Sequence, residues 1–179
     1  VIFNTEREEG FAVFVVDNTN RTEARYWIDD FLRVRQRQDN YHNTHNTLAM
    51  CKKYVTKHLS KEFEVSKADQ AELLNETMKY FQEQESFSMD DFSEKVIRQP
   101  EVVESFTRFR QEYEQDRDIR IEDEFGISDS AVKKQARSYK SVIKLDRNFH
   151  IYVHGNRNLL EQGEDEKGKF YKVYYEEEE

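Results

Sequence analysis

The sequence contains very few residues that interrupt helices, since only one proline and five glycines occur in 179 residues. Long helices joined by short polar turns are therefore expected. No apolar run approaches the roughly 18 residues needed to cross a bilayer, and no charged, apolar and small-residue series marks a signal peptide. The sequence therefore predicts no membrane association.

Cysteine is scarce as well, and Cys51 is the single example. One cysteine excludes an internal disulfide and a multi-cysteine zinc site, which fits a reducing cytoplasm. Cys51 lies on the inward face of a predicted helix and is interpreted as a core residue. His58 follows seven residues later, about 10 Å along the same helix, so the two are not expected to act as nucleophile and base.

Positive charge is in short supply over the whole chain, with 28 Lys and Arg against 37 Asp and Glu and a net charge of −9. Such a protein does not coat nucleic acid with its whole surface, because phosphate binding depends on Lys and Arg. Any nucleic-acid contact must therefore be local. The 13 Phe and 10 Tyr argue against wholesale disorder and indicate a domain with a core.

The hydrophobic pattern predicts an α+β protein with a mainly helical body followed by a small C-terminal antiparallel β-sheet. Residues 1–20 are expected to form a strand and a turn that continue from a missing N-terminal part, because the apolar strand at 11–16 has no hairpin partner nearby. That strand should pair with another one, either from the C-terminal sheet or from another chain. Residues 21–126 are expected to be helical, and residues 127–179 to contain a basic helix, a β-meander and an acidic tail.

Spacings of three and four place apolar residues on one face of each of six predicted helices. Trp27 and Phe31 are expected on the inner face of the first helix. Ser66 and Ser88 are predicted to cap the third and fourth helices, and Pro100 suits the first turn of the fifth.

From residue 141 onward the pattern changes to a period of two, which predicts strands at 141–146, 149–154 and 170–175. Alternate residues of the middle strand should face the core. A tight turn is expected between the first two strands, and a longer loop is expected from Gly155 to Gly168.

No catalytic, cofactor-binding or metal-binding residues are predicted. His42 and His45 have the spacing of a His-x-x-His pair, but no third ligand can be named, which favours turn or cap residues over a metal site. His150 and His154 share a strand face about 13 Å apart, too far for one ion. Phosphate loops, nucleophile elbows and dinucleotide fingerprints are missing from the sequence, so an enzyme is not expected.

Positive charge is concentrated between residues 133 and 147, where six bases accompany one acid. These six bases are the candidate nucleic-acid-binding residues: Lys133, Lys134, Arg137, Lys140, Lys144 and Arg147. Lys133, Arg137 and Lys140 follow spacings of four and three, which predicts one ridge along a helix. The alternative is a solvated helix face without a ligand.

The segment from Phe125 to Ser128 also resembles the turn of a helix-turn-helix motif that leads into a recognition helix, with the later strands as a wing. The match is partial. Glu122 stands where that motif needs a small residue, and residues 116–123 are highly charged for a preceding helix. A helix-turn-helix arrangement is left open.

Several longer segments carry a family resemblance. They are ARYWIDDFL from Ala24, DNYHNTHNTLAMCKKYV from Asp39, KADQAELLN from Lys67, ISDSAVKKQARSYKSVIKLDRNFHIYVHG from Ile127, and YKVYY near the end. Over nearly its whole length the chain resembles the C-terminal part of the bacterial 37 kDa nucleoid-associated protein family. The resemblance implies DNA association in the bacterial nucleoid, and hence a cytoplasmic location. It supplies no catalytic residues.

We therefore expect a nucleoid-associated protein that binds DNA or organises the chromosome without enzymatic activity, without cofactors and with little sequence specificity. The alternative is a protein–protein interaction module that associates with the nucleoid indirectly. The expected partners are DNA, contacted directly or indirectly, and other nucleoid proteins. Formation of a homo-oligomer is left open.

Overall fold

The structure, a computed structural model, describes residues 2–4, 12–15, 26–34, 37–139, 142–153, 159–175 and 177. The chain divides into two units, Val1–Arg37 and Gln38–Glu179. No helix in the described ranges is long and apolar enough to span a membrane. The predicted α+β class, with a helical body ahead of small antiparallel sheets, is confirmed.

The first unit contains a short antiparallel strand pair. Strand β1 spans Ile2–Asn4 and strand β2 spans Ala12–Phe14, with Phe3 opposite Val13. The strand predicted at 11–16 is thus confirmed in its centre, as is the expectation that it pairs. The expectation that it has no partner nearby, and would pair with the C-terminal sheet or another chain, is wrong, because its partner is β1.

A helical segment of π type, Tyr26–Leu32, belongs to the same unit. The Trp27 ring packs edge-on against the rings of Tyr26 and Phe31, with centroid distances of 5.7 and 5.4 Å. Phe31 is 63% exposed, so the prediction that it faces a core is wrong. Ala24, predicted on the same face, lies outside the described residues.

The second unit is built around α-helices. In the described residues these are α1 (Asn40–Lys53), α2 (Leu59–Glu62), α3 (Lys67–Glu83), α4 (Met89–Phe92), α5 (Pro100–Arg117) and α6 (Asp129–Ala136). A π-type turn, Tyr54–His58, joins α1 to α2, and a second one, Ser93–Ile97, extends α4.

The helix starts have local chemical causes. The Asp39 carboxylate accepts a hydrogen bond from the main-chain N–H of His42 at 3.0 Å and so caps α1. At α3, the Ser66 hydroxyl accepts from the N–H of Asp69 while the Asp69 carboxylate accepts from the N–H of Ser66, forming a capping box. Pro100 occupies the first turn of α5, where its missing N–H has no helical partner to lose. The predicted roles of Ser66 and Pro100 are confirmed.

The main core of the second unit is rich in aromatic rings. Its largest fully buried side chains include Tyr54, Phe81, Phe87, Phe92 and Phe106. The Tyr54 hydroxyl donates a hydrogen bond to Ser105 Oγ on α5 at 3.0 Å, which satisfies the one polar atom of that ring.

The connection from α5 to α6 contains one strand of a short antiparallel pair. Strand β3 (Ser86–Ser88) pairs antiparallel with strand β4 (Glu124–Gly126), and the stacked rings of Phe87 and Phe125 lie 4.8 Å apart. Because strand β4, and not a second helix, leads into α6, the helix-turn-helix arrangement is excluded.

Two antiparallel hairpins follow α6. Strand β5 (Val142–Leu145) pairs with β6 (Phe149–Tyr152), and β7 (Leu160–Asp165) pairs with β8 (Gly168–Val173). Strand β7 corrects the prediction of a loop from Gly155 to Gly168.

The first hairpin packs its inner face on helix α3. Ile143 and Val153 share a small buried cluster with Ala68 and Ala71 of α3. The predicted core-facing side of the middle strand is therefore confirmed near Val153. It is not confirmed near the turn, because Phe149 is 66% exposed.

Candidate nucleic-acid interface

Helix α6 has a buried side and an exposed side. Val132 is buried, whereas Lys133, Lys134 and Arg137 are exposed. Asp129 lies in the first turn and the two lysines lie in the last, which is the arrangement that the helix dipole favours. The dipole alone therefore explains part of this charge distribution.

The buried side of α6 is attached to the first half of α1. At the start of α6, the main-chain N–H of Ser128 donates a hydrogen bond to Thr44 Oγ1 at 3.0 Å. Near its end, Gln135 Nε2 lies 2.9 Å from His45 Nδ1. Both α1 residues come about 84 to 90 positions earlier in the chain. These two contacts attach α6 to α1 near both of its ends.

A third attachment follows directly after the helix. Tyr139 is buried, and its hydroxyl donates a hydrogen bond to the main-chain carbonyl oxygen of Leu48. Burial raises the pKa of Tyr139 well above its ordinary value, so the phenol remains a protonated donor into the alkaline range. Together the three contacts hold α6 at its start, its last turn and the segment behind it.

The predicted helical ridge of three bases needs correction. Helix α6 ends at Ala136, with Arg137 as its C-cap residue, so Lys140 does not lie on it. Lys140 is outside the described residues. The helical part of the basic surface therefore consists of Lys133 and Lys134, with Arg137 at the C-cap.

The exposed bases of this region are weakly engaged by acids. In the part of the chain that the structure describes, no ion pair is formed by Lys133, Arg137, Lys144 or Arg147. This holds even though Asp129 precedes Lys133 by four residues, a spacing that permits a helical ion pair. These cations are therefore accessible to an external anion.

Lys134 has an aromatic neighbour that sequence reasoning missed. Its ammonium group donates a hydrogen bond to the Tyr41 hydroxyl at 3.1 Å and lies 5.9 Å from the centre of that ring. The Tyr41 ring also stacks on His45. The first turn of α1 thus borders the basic face of α6, a proximity that no sequence spacing could reveal.

The remaining candidate bases lie on the hairpin. Lys144 is exposed on β5 opposite His150 of β6, and Arg147 is exposed in the connecting turn. Asp146 in this turn has a φ of 51°, a left-handed conformation that short polar residues tolerate. The predicted tight turn is confirmed.

The histidines considered as metal ligands have separate partners. His42 Nδ1 lies 2.7 Å from Asp39 Oδ1, whereas His45 contacts Gln135 of α6. Both are partly buried residues of α1 and not exposed turn residues as predicted. In the described residues, no group of three or more His, Cys, Asp or Glu side chains is placed to hold a metal ion.

Cys51 lies in the main core, as predicted, and is 1% exposed. Burial raises the pKa of its thiol far above the ordinary value, which suppresses the nucleophilic thiolate. His58 is hydrogen-bonded to Glu62, with 3.0 Å between Nε2 and Oε1.

The family model described as nucleoid-associated protein YejK matches residues 1–178. No curated protein and no solved structure matches the chain. The family match agrees with the resemblance found in the sequence and confirms the expected location at the nucleoid, which in bacteria lies in the cytoplasm. The chain belongs to the nucleoid-associated protein YejK family.

Proposed function

We propose that this protein acts at the nucleoid by binding DNA directly and without catalysis, through the basic surface formed by α6 and the β5–β6 hairpin. One observation carries the proposal: Lys133, Lys134 and Arg137 are exposed on a helix whose opposite side is fixed by hydrogen bonds. Because the helix is held in place, only its cationic side chains have to move when an anion binds. Lys144 and Arg147 of the hairpin follow α6 in the chain and add two further bases to the proposed surface.

The charge distribution supports a local contact. Outside residues 133–147 the chain carries 22 bases and 36 acids, so its other surfaces repel a polyanion on balance. Lys and Arg side chains on a short helix are suited to phosphate oxygens, which carry no sequence information. The proposed binding is therefore weakly dependent on DNA sequence.

The chemistry of the described residues supports a role without catalysis. Cys51 is the one thiol of the chain, and its burial and raised pKa oppose nucleophilic attack. His42 and His58 are each paired with a carboxylate of their own helical neighbourhood, which explains both residues structurally.

A second candidate function is protein-mediated association with the nucleoid. It is favoured by apolar surface at the open end of the β7–β8 hairpin, where Leu159, Val173 and Tyr175 are exposed. Exposed apolar groups of this kind are common at protein interfaces. The net charge of −9 also suits a partner other than DNA.

Charge reversal on α6 tests the proposal. DNA titrations by fluorescence anisotropy would compare the wild type with the triple variant Lys133→Glu, Lys134→Glu, Arg137→Glu. A matched control reverses three exposed bases on other parts of the second unit: Lys61, Lys79 and Arg120. Both variants lower the net charge by six, so a difference between them reports position and not total charge.

We expect the α6 variant to lose most of its DNA affinity and the control variant to retain more of it. Equal losses would mean that DNA responds only to net charge and would refute the proposed surface. If the wild-type protein does not bind purified DNA at all, the protein-mediated function replaces direct binding.

A further inference from the structure

The outward side of the β5–β6 hairpin has an unusual composition for a sheet surface. Residues directly opposite each other in an antiparallel pair project to the same side. Lys144 is opposite His150, and Val142 is opposite Tyr152, so these four side chains form one face. The other face carries Ile143 toward α3. We call Val142, Lys144, His150 and Tyr152 the hairpin outer face.

Three of the four residues of the hairpin outer face are exposed, and none of the four carries a carboxylate. Lys144 and His150 are exposed, and Tyr152 is 58% exposed although an aromatic residue usually contributes to a core. The helical body already covers the opposite side of the hairpin through Ala68 and Ala71. The outer side of the hairpin is therefore the side that a ligand can reach.

The distance between the His150 and Tyr152 rings favours unpaired DNA over duplex DNA. His150 and Tyr152 are two residues apart on one strand, which separates them by about 7 Å. Neighbouring nucleotides in one strand of a duplex are about 3.4 Å apart along the helix axis. Two successive bases reach two such rings only when the strand is extended and its bases are unstacked. Unpaired DNA meets this condition, whereas an intact duplex does not.

We propose that the hairpin outer face binds unpaired bases of single-stranded DNA, with His150 and Tyr152 stacking on successive bases and Lys144 contacting the intervening phosphate. Aromatic platforms beside cations are the usual means by which proteins hold single strands without reading sequence. This inference rests on the proposed DNA-binding function and assigns its preferred ligand. The cations of α6 then contribute phosphate contacts for any DNA, and the hairpin outer face contributes the preference for unpaired DNA.

One oligonucleotide is long enough to reach from α6 to the hairpin. Arg137 and Lys144 are seven residues apart in the chain, so their Cα atoms are at most about 25 Å apart. A strand of about 15 nucleotides, at 3.4 Å or more per nucleotide, spans this distance. An oligothymidylate of that length and a duplex of equal length are therefore suitable probes.

The test combines binding with photocrosslinking on the full chain. Anisotropy titrations would compare Tyr152→Ala, Tyr152→Phe and the wild type with both probes. Tyr175→Ala serves as a matched control, because Tyr175 is an exposed tyrosine, 69% accessible, outside this hairpin. In parallel, an oligothymidylate containing 5-iodouracil would be crosslinked to the wild-type protein, and the attached peptide would be identified by mass spectrometry. This second measurement does not depend on how a variant folds.

We expect Tyr152→Ala to weaken oligothymidylate binding by about 5-fold to 150-fold while duplex binding changes less than about twofold. Tyr152→Phe and Tyr175→Ala should bind like the wild type, and the crosslink should map to residues 149–153. The inference is overturned if Tyr152→Ala affects both probes equally, if it affects neither, or if the crosslink maps elsewhere. In these cases DNA binding by the α6 cations still stands. Failure of the wild type to bind either probe overturns the proposed function as well.

Discussion

The Tyr139 hydroxyl donates a hydrogen bond to the main-chain carbonyl oxygen of Leu48, across 91 residues of sequence. Tyr139 lies three residues after the end of α6, and Leu48 lies in the middle of α1. The contact therefore ties the segment between the basic helix and the β5–β6 hairpin to the helical body. Both parts of the proposed DNA-binding surface depend on where this segment is anchored.

Replacing Tyr139 with Phe should destabilise the protein by about 1 kcal/mol, because the ring stays buried while one intramolecular hydrogen bond is lost. Urea unfolding followed by circular dichroism measures this difference. Tyr175→Phe makes the same chemical change on an exposed ring and should alter the free energy of unfolding by less than about 0.5 kcal/mol. Equal effects of the two substitutions would show that the Tyr139 hydrogen bond contributes nothing to stability.

The helix starts could be predicted from the sequence because they depend on neighbouring residues. Ser66 and Asp69 are three positions apart, and their reciprocal hydrogen bonds need no distant partner. Pro100 likewise acts through its own ring. The end of α6 could not be predicted from neighbouring residues. The chain leaves the helix at Ala136 with no glycine or proline to mark the stop, and the buried Tyr139 contact that accompanies it comes from a distant helix.

Strand β7 was missed because its sequence, LEQGED, is polar and contains a glycine. Its pairing can be explained only together with its partner strand, β8. A Cβ atom at Gly163 would overlap the Phe170 ring, so the glycine makes room for the ring that crosses it from β8. The polar residues of β7 are exposed, which removes the alternation of apolar residues on which strand prediction relies.

The charged residues of the candidate site could be predicted from the sequence. The residues of α1 that contact them could not. Lys133 and Arg137 were expected at the surface because long cationic side chains are rarely buried. Tyr41 and His45 come about 90 residues earlier and reach α6 only through the packing of α1 on it. A single sequence contains no signal for such a contact.

The capping box of α3 gives a second stability prediction. Ser66→Ala should destabilise the protein by about 1 kcal/mol, within a range of roughly 0.5 to 2, because the N–H of Asp69 loses its acceptor. Ser88→Ala is a matched control, since Ser88 precedes α4 at the same position but its side chain makes no capping hydrogen bond. Urea unfolding of both variants should show a clear loss for Ser66→Ala only. A loss of similar size in both would contradict the capping explanation.

The raised pKa of Tyr80 predicts that the protein loses stability as the pH rises above 10. Burial, together with the hydrogen bond that its hydroxyl donates to Asp91, raises the pKa of Tyr80 to about 12. Below pH 10 the phenol is protonated in both states, and its contribution to stability is complete. As the pH rises from about 10 to 12, the phenol of the unfolded chain ionises first, which favours unfolding.

Tyr80→Phe removes this titration, so its free energy of unfolding should fall less steeply than that of the wild type above pH 10. Asp91→Asn keeps the buried phenol and should retain most of the wild-type slope, because burial is the larger cause of the raised pKa. Urea unfolding at several pH values between 8 and 12 provides the comparison. Identical slopes for the wild type and Tyr80→Phe would show that Tyr80 ionises alike in both states.

The salt dependence of duplex binding counts the phosphates that the basic surface contacts. The three exposed cations of α6 and the two of the hairpin, Lys144 and Arg147, allow three to five contacts. Each neutralised phosphate contributes about −0.9 to the slope of log affinity against log salt concentration, so the slope should lie between about −2.7 and −4.5. Arg137→Ala should flatten the slope by about 0.9, because it removes one phosphate contact and leaves the others in place. Arg120→Ala, which removes an exposed base outside the surface, should leave the slope unchanged. If Arg137→Ala lowers the affinity at every salt concentration without flattening the slope, Arg137 does not contact a phosphate, and the number of contacts assigned to α6 must be reduced to those of its two lysines.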